Sequence, residues 1–281
     1  MDPKKIKSYI KMALAEDVGD GDHTSLACIP KSNRNKAKLL VKDSCVLAGI
    51  DLAIEIFKHV DPSSKIDILM KDGDVAKFGD IAFYVECNSQ ALLQAERLVL
   101  NSMQRMSGIA SLSRKFAEKV ADLPVKILDT RKTTPLIRFL EKEAVKIGGC
   151  YNYRIGLYDW IMIKDNHVDA AGSITNAIQR VLKYQKEKGM NLNITVEVRD
   201  IKELNEVLEN GDITRIMLDN FSNRNLRKAV SIIDGRFETE ASGGVNLRRV
   251  RGIAETGVDY ISVGALTHSV ASKDLSLKIV E

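Results

Sequence analysis

The 281-residue chain predicts an α/β protein in two parts, a small mixed domain followed by a parallel α/β barrel. Two observations carry this. Between Ala37 and about Glu86 the apolar residues come in short runs broken by Gly and Asp, the pattern of a small sheet with tight turns. Beyond Leu123-Pro124 six β-rich runs recur with helical stretches between them: VKILDT, DWIMIKD, NITVEV, TRIMLDN, FETEAS and YISVGA. Their last apolar positions fall near residues 128, 163, 196, 218, 241 and 263, so the spacing settles to roughly 22 residues, enough for one βα unit. Strands this apolar are covered on both faces, as in a parallel sheet, and their repetition suggests a barrel.

The elements justify themselves in order. Residues 4–16 place Ile6, Ile10, Ala13 and Leu14 on one face with lysines elsewhere, an amphipathic helix that stops near Gly19. The acidic stretch EDVGDGDHTS lacks the spacing and the closing glutamate of an EF-hand loop, and reads as a helix stop followed by a turn. AKLLVKDSCVLAG, KIDILMKDGDVAKFGD and IAFYVEC read as strands. From Ser89 to about Val120 apolar residues recur at three and four, which gives one long helix or two joined near Gly108.

Composition excludes several functions. The net charge is only +4, Lys and Arg are scattered among nearly as many Asp and Glu, and one Trp, seven Tyr and seven Phe leave little to stack on bases. Nucleic acid is therefore a poor partner. Cys28, Cys45, Cys87 and Cys150 form no C-x-x-C pair, so neither a zinc knuckle nor a redox motif is suggested, and reduced, mostly buried thiols are expected. No stretch reaches the roughly 18 apolar residues of a membrane span. The opening twenty residues never run seven apolar residues together, as a signal peptide does. A cytoplasmic protein is the expectation.

The informative residues stand where the barrel strands end. Arg131 and Lys132 follow the first run, in LDTRKTTP, then come Lys164, Glu197, Asp219, Ser242 with Gly243 and Gly244, and Gly264. In α/β barrels the carboxyl ends of the strands form one rim, so residues distant in sequence meet around one pocket. Arg131, Lys132, Lys164 and Arg154 crowd that rim with cations, which repel by about 4 kcal/mol per pair at 4 Å and an effective dielectric near 20. Such a cluster implies an anionic ligand, with arginine forks suited to carboxylate or phosphate. SGGVNLRRV and SVGALTHS set glycines between a strand and an expected helix, where backbone N–H groups approach a phosphate unobstructed. Glu197 and Asp219 then need a cation, sugar hydroxyls or a developing positive charge to handle. A phosphoribosyl donor, its leaving pyrophosphate neutralised by Mg²⁺, brings all three.

With these residues in place, the chain resembles the quinolinate phosphoribosyltransferase family over nearly its whole length. LAEDVGDGDHTS, AERLVLNSMQRMSGIA, DTRKTTP, RIGLYDWIMIKDNH, IMLDN, SGGV and SVGALTHS carry the resemblance. It implies an N-terminal α/β sandwich domain over residues 1–115 and an incomplete seven-stranded α/β barrel over 116–267, with the tail 268–281 packing back on the first domain. It implies decarboxylating transfer of phosphoribosyl from phosphoribosyl pyrophosphate to quinolinate, with Mg²⁺ as cofactor. By the same resemblance Arg97, Arg131, Tyr153, Arg154 and Lys164 bind quinolinate, and Arg97 enters the site of a neighbouring subunit of a homodimer or higher oligomer. Lys132, Glu197 and Asp219 serve catalysis and the donor, the last two also the metal, directly or through water or donor. Ser242, Gly243, Gly244 and Gly264 take the phosphate. Tyr153 stands where many members have histidine, and it carries no positive charge. His167 is given no chemical role. Rival readings are a transferase for another aromatic acid or a molybdate-uptake homologue, a Schiff-base lyase using Lys164 or Lys132, and a non-catalytic anion sensor.

Overall fold

The computed structural model describes residues 2–280. The chain divides into two compact units. The first takes the chain through Arg114, returns for Thr133–Gly149 and ends with the tail from Ser269; the second holds Lys115–Lys132 and Cys150–His268. A linear division at residue 115 is thus too simple, because residues 133–149 leave the barrel. Their anchor is Glu141, wholly buried, which accepts from Arg105 Nε and Nη2 at 3.1 and 2.8 Å and from the Thr134 hydroxyl at 2.8 Å. A buried carboxylate is held only by such pairing, and its partners lie in the first unit.

In the first unit α1, Pro3–Val18, starts on Asp2, whose side chain accepts from Lys4 N, and stops at Gly19, φ 56°. The turn that follows ends at Asp22, which caps a short unforeseen helix, α2, His23–Cys28. Next come β1 Arg34–Val41, β2 Cys45–Val46, α3 Ile50–Val60, β3 Lys65–Ile68, β4 Val75–Ala76 and β5 Ile81–Asn88. Helix α3 falls inside the stretch expected to be sheet; Ile50, Ala53, Ile56 and Phe57 bury one helical face, a period masked by the apolar runs on either side. The C-terminal strand Leu275–Val280, β1, β5 and β3 form an antiparallel sheet in that order, and β2 pairs with β4. Helix α4, Ser89–Lys119, is continuous. Gly108 does not break it. A Cβ there would lie 2.4 Å from the Ala271 carbonyl, so glycine admits the returning tail. Helix α5 is Arg138–Ile147.

The second unit is the barrel. Its strands are β6 Lys126–Leu128, β7 Ile161–Ile163, β8 Ile194–Val198, β9 Arg215–Asp219, β10 Glu238–Ser242 and β11 Tyr260–Ser262, all six at the expected runs. They lie parallel in the order β6-β11-β10-β9-β8-β7. The seventh strand shrinks to one parallel bridge, Leu128 to Tyr151. Helices α6 Asp165–Ala171 and α7 Ile174–Lys188 both follow β7, and α8 Ile201–Asn210, α9 Asn223–Ile233, α10 Val250–Ala254 and α11 Ala265–His268 each follow one strand. Among the described residues no helix is long and apolar enough to cross a membrane. Cys45, Cys87 and Cys150 are buried thiols, while Cys28 is exposed.

Candidate active site

Register decides which side chains meet. Glu238 pairs with Arg215, Glu240 with Met217 and Ser242 with Asp219; Glu197 pairs with Met217, and Ser262 with Leu128. Because side chains alternate faces along a strand, every second residue forms a layer, and the last layer opens into a cavity of about 770 Å³. Arg131, Lys132, Tyr153, Arg154, Lys164, Glu197, Asp219, Ser242, Gly243, Gly244 and Gly264 all line it. Arg97 does not. It stands exposed on α4, in the first unit.

The cavity has a charged rim and an apolar floor. Lys164 Nζ lies 3.0 Å from Glu197 Oε2. Ser242 Oγ donates to Asp219 Oδ1 at 2.7 Å and Asn220 Nδ2 to Asp219 Oδ2 at 2.6 Å, so that carboxylate is fixed on both oxygens. Burial and the Arg131 cation beside it pull Arg154 below its ordinary pKa, the mark of two cations held closer than they would choose. Arg154 Nη1 also donates to the Trp160 carbonyl at 3.1 Å. Met162, Met217 and the nearly buried Tyr153 make up the apolar part.

The glycines act by absence. A Cβ on Gly243, φ +88°, would meet Asn220 Oδ1 at 2.2 Å, and one on Gly264 would meet Lys132 Cδ at 3.0 Å and the His268 ring at 3.1 Å. Residues 245–249 separate the first glycine pair from α10, so the expected helix start lies farther off, whereas α11 begins directly after Gly264. Glu197 and Asp219, two carboxylates on the rim, are oxygen donors of the kind that would hold a Mg²⁺. Among the described residues no three His, Cys, Asp or Glu groups gather into a closed metal cage.

Some contributors escape strand-end reasoning. Asn220 and His268 line the cavity, and both sit in motifs quoted for their neighbours. Asp129, wholly buried, accepts from Tyr153 N at 2.8 Å and so ties the Arg131 segment to the Arg154 segment. Arg215 and Glu240 pair inside the barrel at 3.1 Å; alternation along TRIMLD and FETEAS was their only signal. His167 Nδ1 accepts from Lys164 N at 3.0 Å, a structural bond at the start of α6.

Residues 22–107 match the family model for the quinolinate phosphoribosyl transferase N-terminal domain, and residues 109–278 that for its C-terminal domain. The chain belongs to the quinolinate phosphoribosyltransferase family. The seam between the two matches falls within α4. A chloroplastic nicotinate-nucleotide pyrophosphorylase [carboxylating] of Arabidopsis thaliana is 47% identical over 98% of this chain and 82% of its own length. A probable nicotinate-nucleotide pyrophosphorylase [carboxylating] of Bacillus subtilis is 39% identical over 99% of this chain and 95% of its own. Among solved structures, the nicotinate-nucleotide pyrophosphorylase of Ehrlichia chaffeensis superposes with a TM-score of 0.91 at 41% identity, covering 98% of both chains.

Proposed function

We propose that the chain transfers the phosphoribosyl group of phosphoribosyl pyrophosphate to quinolinate with decarboxylation, yielding nicotinate mononucleotide, pyrophosphate and CO₂ in NAD biosynthesis. One observation carries the reading beyond family membership: four cations, two carboxylates and a glycine-lined turn share one cavity of about 770 Å³ over an apolar floor. That set suits a planar dicarboxylate beside a polyphosphorylated sugar. Neither a Schiff-base lyase nor an anion sensor needs all of it.

Arg131, Arg154 and Lys164 take the two carboxylates of quinolinate, joined by Arg97 from a second copy of the chain. Lys132, Glu197 and Asp219 receive the ribose and pyrophosphate, and Ser242, Gly243, Gly244 and Gly264 the 5-phosphate. Bound Mg²⁺ supplies charge neutralisation at the pyrophosphate oxygens. Glu197 and Asp219 stabilise the positive charge that grows at the ribose carbon as the C1–O bond breaks. The pyridine nitrogen lone pair forms the new bond to C1, and pyrophosphate leaves with the electrons of the old one. The 2-carboxylate then departs as CO₂; its bonding pair remains on the ring carbon, stabilised by the adjacent pyridinium, and takes a proton from water. The cytoplasm, where thiols outside disulfides stay reduced, is the proposed compartment.

The test is incubation with phosphoribosyl pyrophosphate, Mg²⁺ and either quinolinate or nicotinate. Nicotinate mononucleotide with equimolar CO₂ from quinolinate alone is expected. Product from nicotinate alone, or none from either acid, overturns the substrate.

A further inference from the structure

Beneath the cavity lies a buried polar chain that the proposed chemistry does not use. Trp160 Nε1 donates to Thr195 Oγ1 at 2.8 Å, and Thr195 Oγ1 lies 2.7 Å from the Tyr153 hydroxyl. Glu240 stands close enough to that hydroxyl for its charge to act on it. Glu240 accepts from Ser262 Oγ at 2.5 Å and from Arg215 Nη1 at 3.1 Å, and Arg215 reaches Glu238 with Nε and Nη2 at 3.0 and 2.8 Å. Thr195 and Glu240 are wholly buried. The Arg215 guanidinium lies 3.7 Å from the centroid of the Tyr260 ring, which braces the cation that keeps Glu240 compensated.

An indole N–H only donates and an ionised carboxylate only accepts, so Thr195 Oγ1 accepts from Trp160, and Glu240 from Ser262 and Arg215. The bond between the Thr195 and Tyr153 hydroxyls joins Tyr153 to Trp160 through Thr195 in either donor order. Burial, aided by the Glu240 charge, pushes the Tyr153 hydroxyl well above its ordinary pKa, so it stays a donor. A fully satisfied buried network holds one arrangement. Here it turns the Tyr153 hydroxyl toward the barrel interior, so the cavity meets the ring instead.

That ring stands on the acceptor's side. Tyr153 precedes Arg154 in the chain and packs with Met162, two residues before Lys164. Asp219 and Ser242 end β9 and β10, and with Gly243, which follows, they make the side assigned to the donor.

We propose that Thr195 is a positioning residue that fixes the Tyr153 ring as the apolar surface against which the planar acceptor lies, leaving donor binding to other residues. The proposal rests on the function argued above. Charge at the rim then selects the two carboxylates, while the ring face selects a flat aromatic body. Tyrosine suits this second task better than a cation would, since it adds no repulsion to Arg131 and Arg154.

The test compares the parent with Tyr153→Phe, Thr195→Val and Thr195→Ser, reading KM for each substrate, the melting temperature and the emission of Trp160. Trp160 is the only tryptophan in the chain, and its ring centroid lies 5.6 Å from that of Tyr153, so it reports on whatever meets that ring. For Tyr153→Phe and Thr195→Val the quinolinate KM is expected to rise about tenfold with the donor KM within about twofold of the parent. The quinolinate titration of Trp160 emission should shift by the same factor, and Thr195→Ser, which keeps the hydroxyl, should restore both. Unchanged quinolinate KM and emission overturn the proposal. So does a parallel rise in both KM values with a fall in melting temperature that Thr195→Ser shares, the mark of a merely structural role. If the parent turns over no quinolinate, the function fails first; phthalate, a flat diacid, then tests the ring by Trp160 emission alone.

Discussion

Gly243→Ala probes whether the turn after β10 is built around a missing side chain. Two costs are separable. At φ +88° any residue with a Cβ pays about 1–2 kcal/mol. The new Cβ would also lie 2.2 Å from Asn220 Oδ1, 2.5 Å from its Cγ and 2.9 Å from its backbone N. A side chain can turn aside but a backbone nitrogen cannot, so Asn220 must shift by about 1 Å to reach ordinary contact. Asn220 follows Asp219 in the chain and donates to its Oδ2, so the carboxylate assigned to the donor moves with it. A misplacement of that size costs on the order of 10²-fold in rate. Gly79 supplies the control: its φ is +93°, yet nothing lies within 4 Å of its added Cβ. Urea unfolding should show about 1–2 kcal/mol lost for Gly79→Ala with turnover intact. Gly243→Ala should lose at least as much stability and about 10²-fold in kcat/KM for phosphoribosyl pyrophosphate. A Gly243→Ala enzyme within about threefold of the parent would refute the reasoning, because the contact and not the φ alone was meant to displace Asp219.

Two further outcomes follow from particular residues. Arg97→Ala and Lys164→Ala should each be nearly inactive alone, but mixing and re-equilibrating the two should restore part of the activity, since one of the hybrid's sites receives both native residues; a mixture as inactive as its parts rules out Arg97 acting across subunits. Asp72, whose carboxylate accepts from Ile50 N at 2.8 Å at the start of α3, is raised to about 6 by burial, with a smaller push from Asp51. The folded state thus holds its proton where the unfolded chain, with an ordinary value near 3.8, has released it. Stability should therefore fall as pH rises from about 4 to about 6, by up to about 3 kcal/mol, and stay lost above. Asp72→Asn should remove that slope, and superimposable unfolding curves for parent and variant across this window would show the burial to be unimportant.

Much of the site was legible because the relevant physics is local. Short apolar runs announce strands, and a charged or glycine residue at the end of each run marks the carboxyl rim of a barrel. That reasoning reached Arg131, Lys132, Lys164, Glu197, Asp219, Ser242, Gly243, Gly244 and Gly264, and the cavity gathers all of them. Residues inside strands resisted it. Glu240 reads as a polar gap in FETEAS until the register sets it opposite Met217 and within reach of Arg215 and Ser262.

By itself the sequence determined the periodicities, the strand count in the parallel sheet, the cationic character of the rim and the family to which these motifs belong. Only the tertiary structure decided that residues 133–149 leave the barrel, that the seventh strand contracts to the bridge at Tyr151, and that the Tyr153 hydroxyl turns inward. Each of these depends on partners far along the chain: Arg105 for Glu141, Leu128 for Tyr151, Thr195 for Tyr153. A buried polar group goes where its hydrogen bonds can be met, and the local pattern around it does not say where that is.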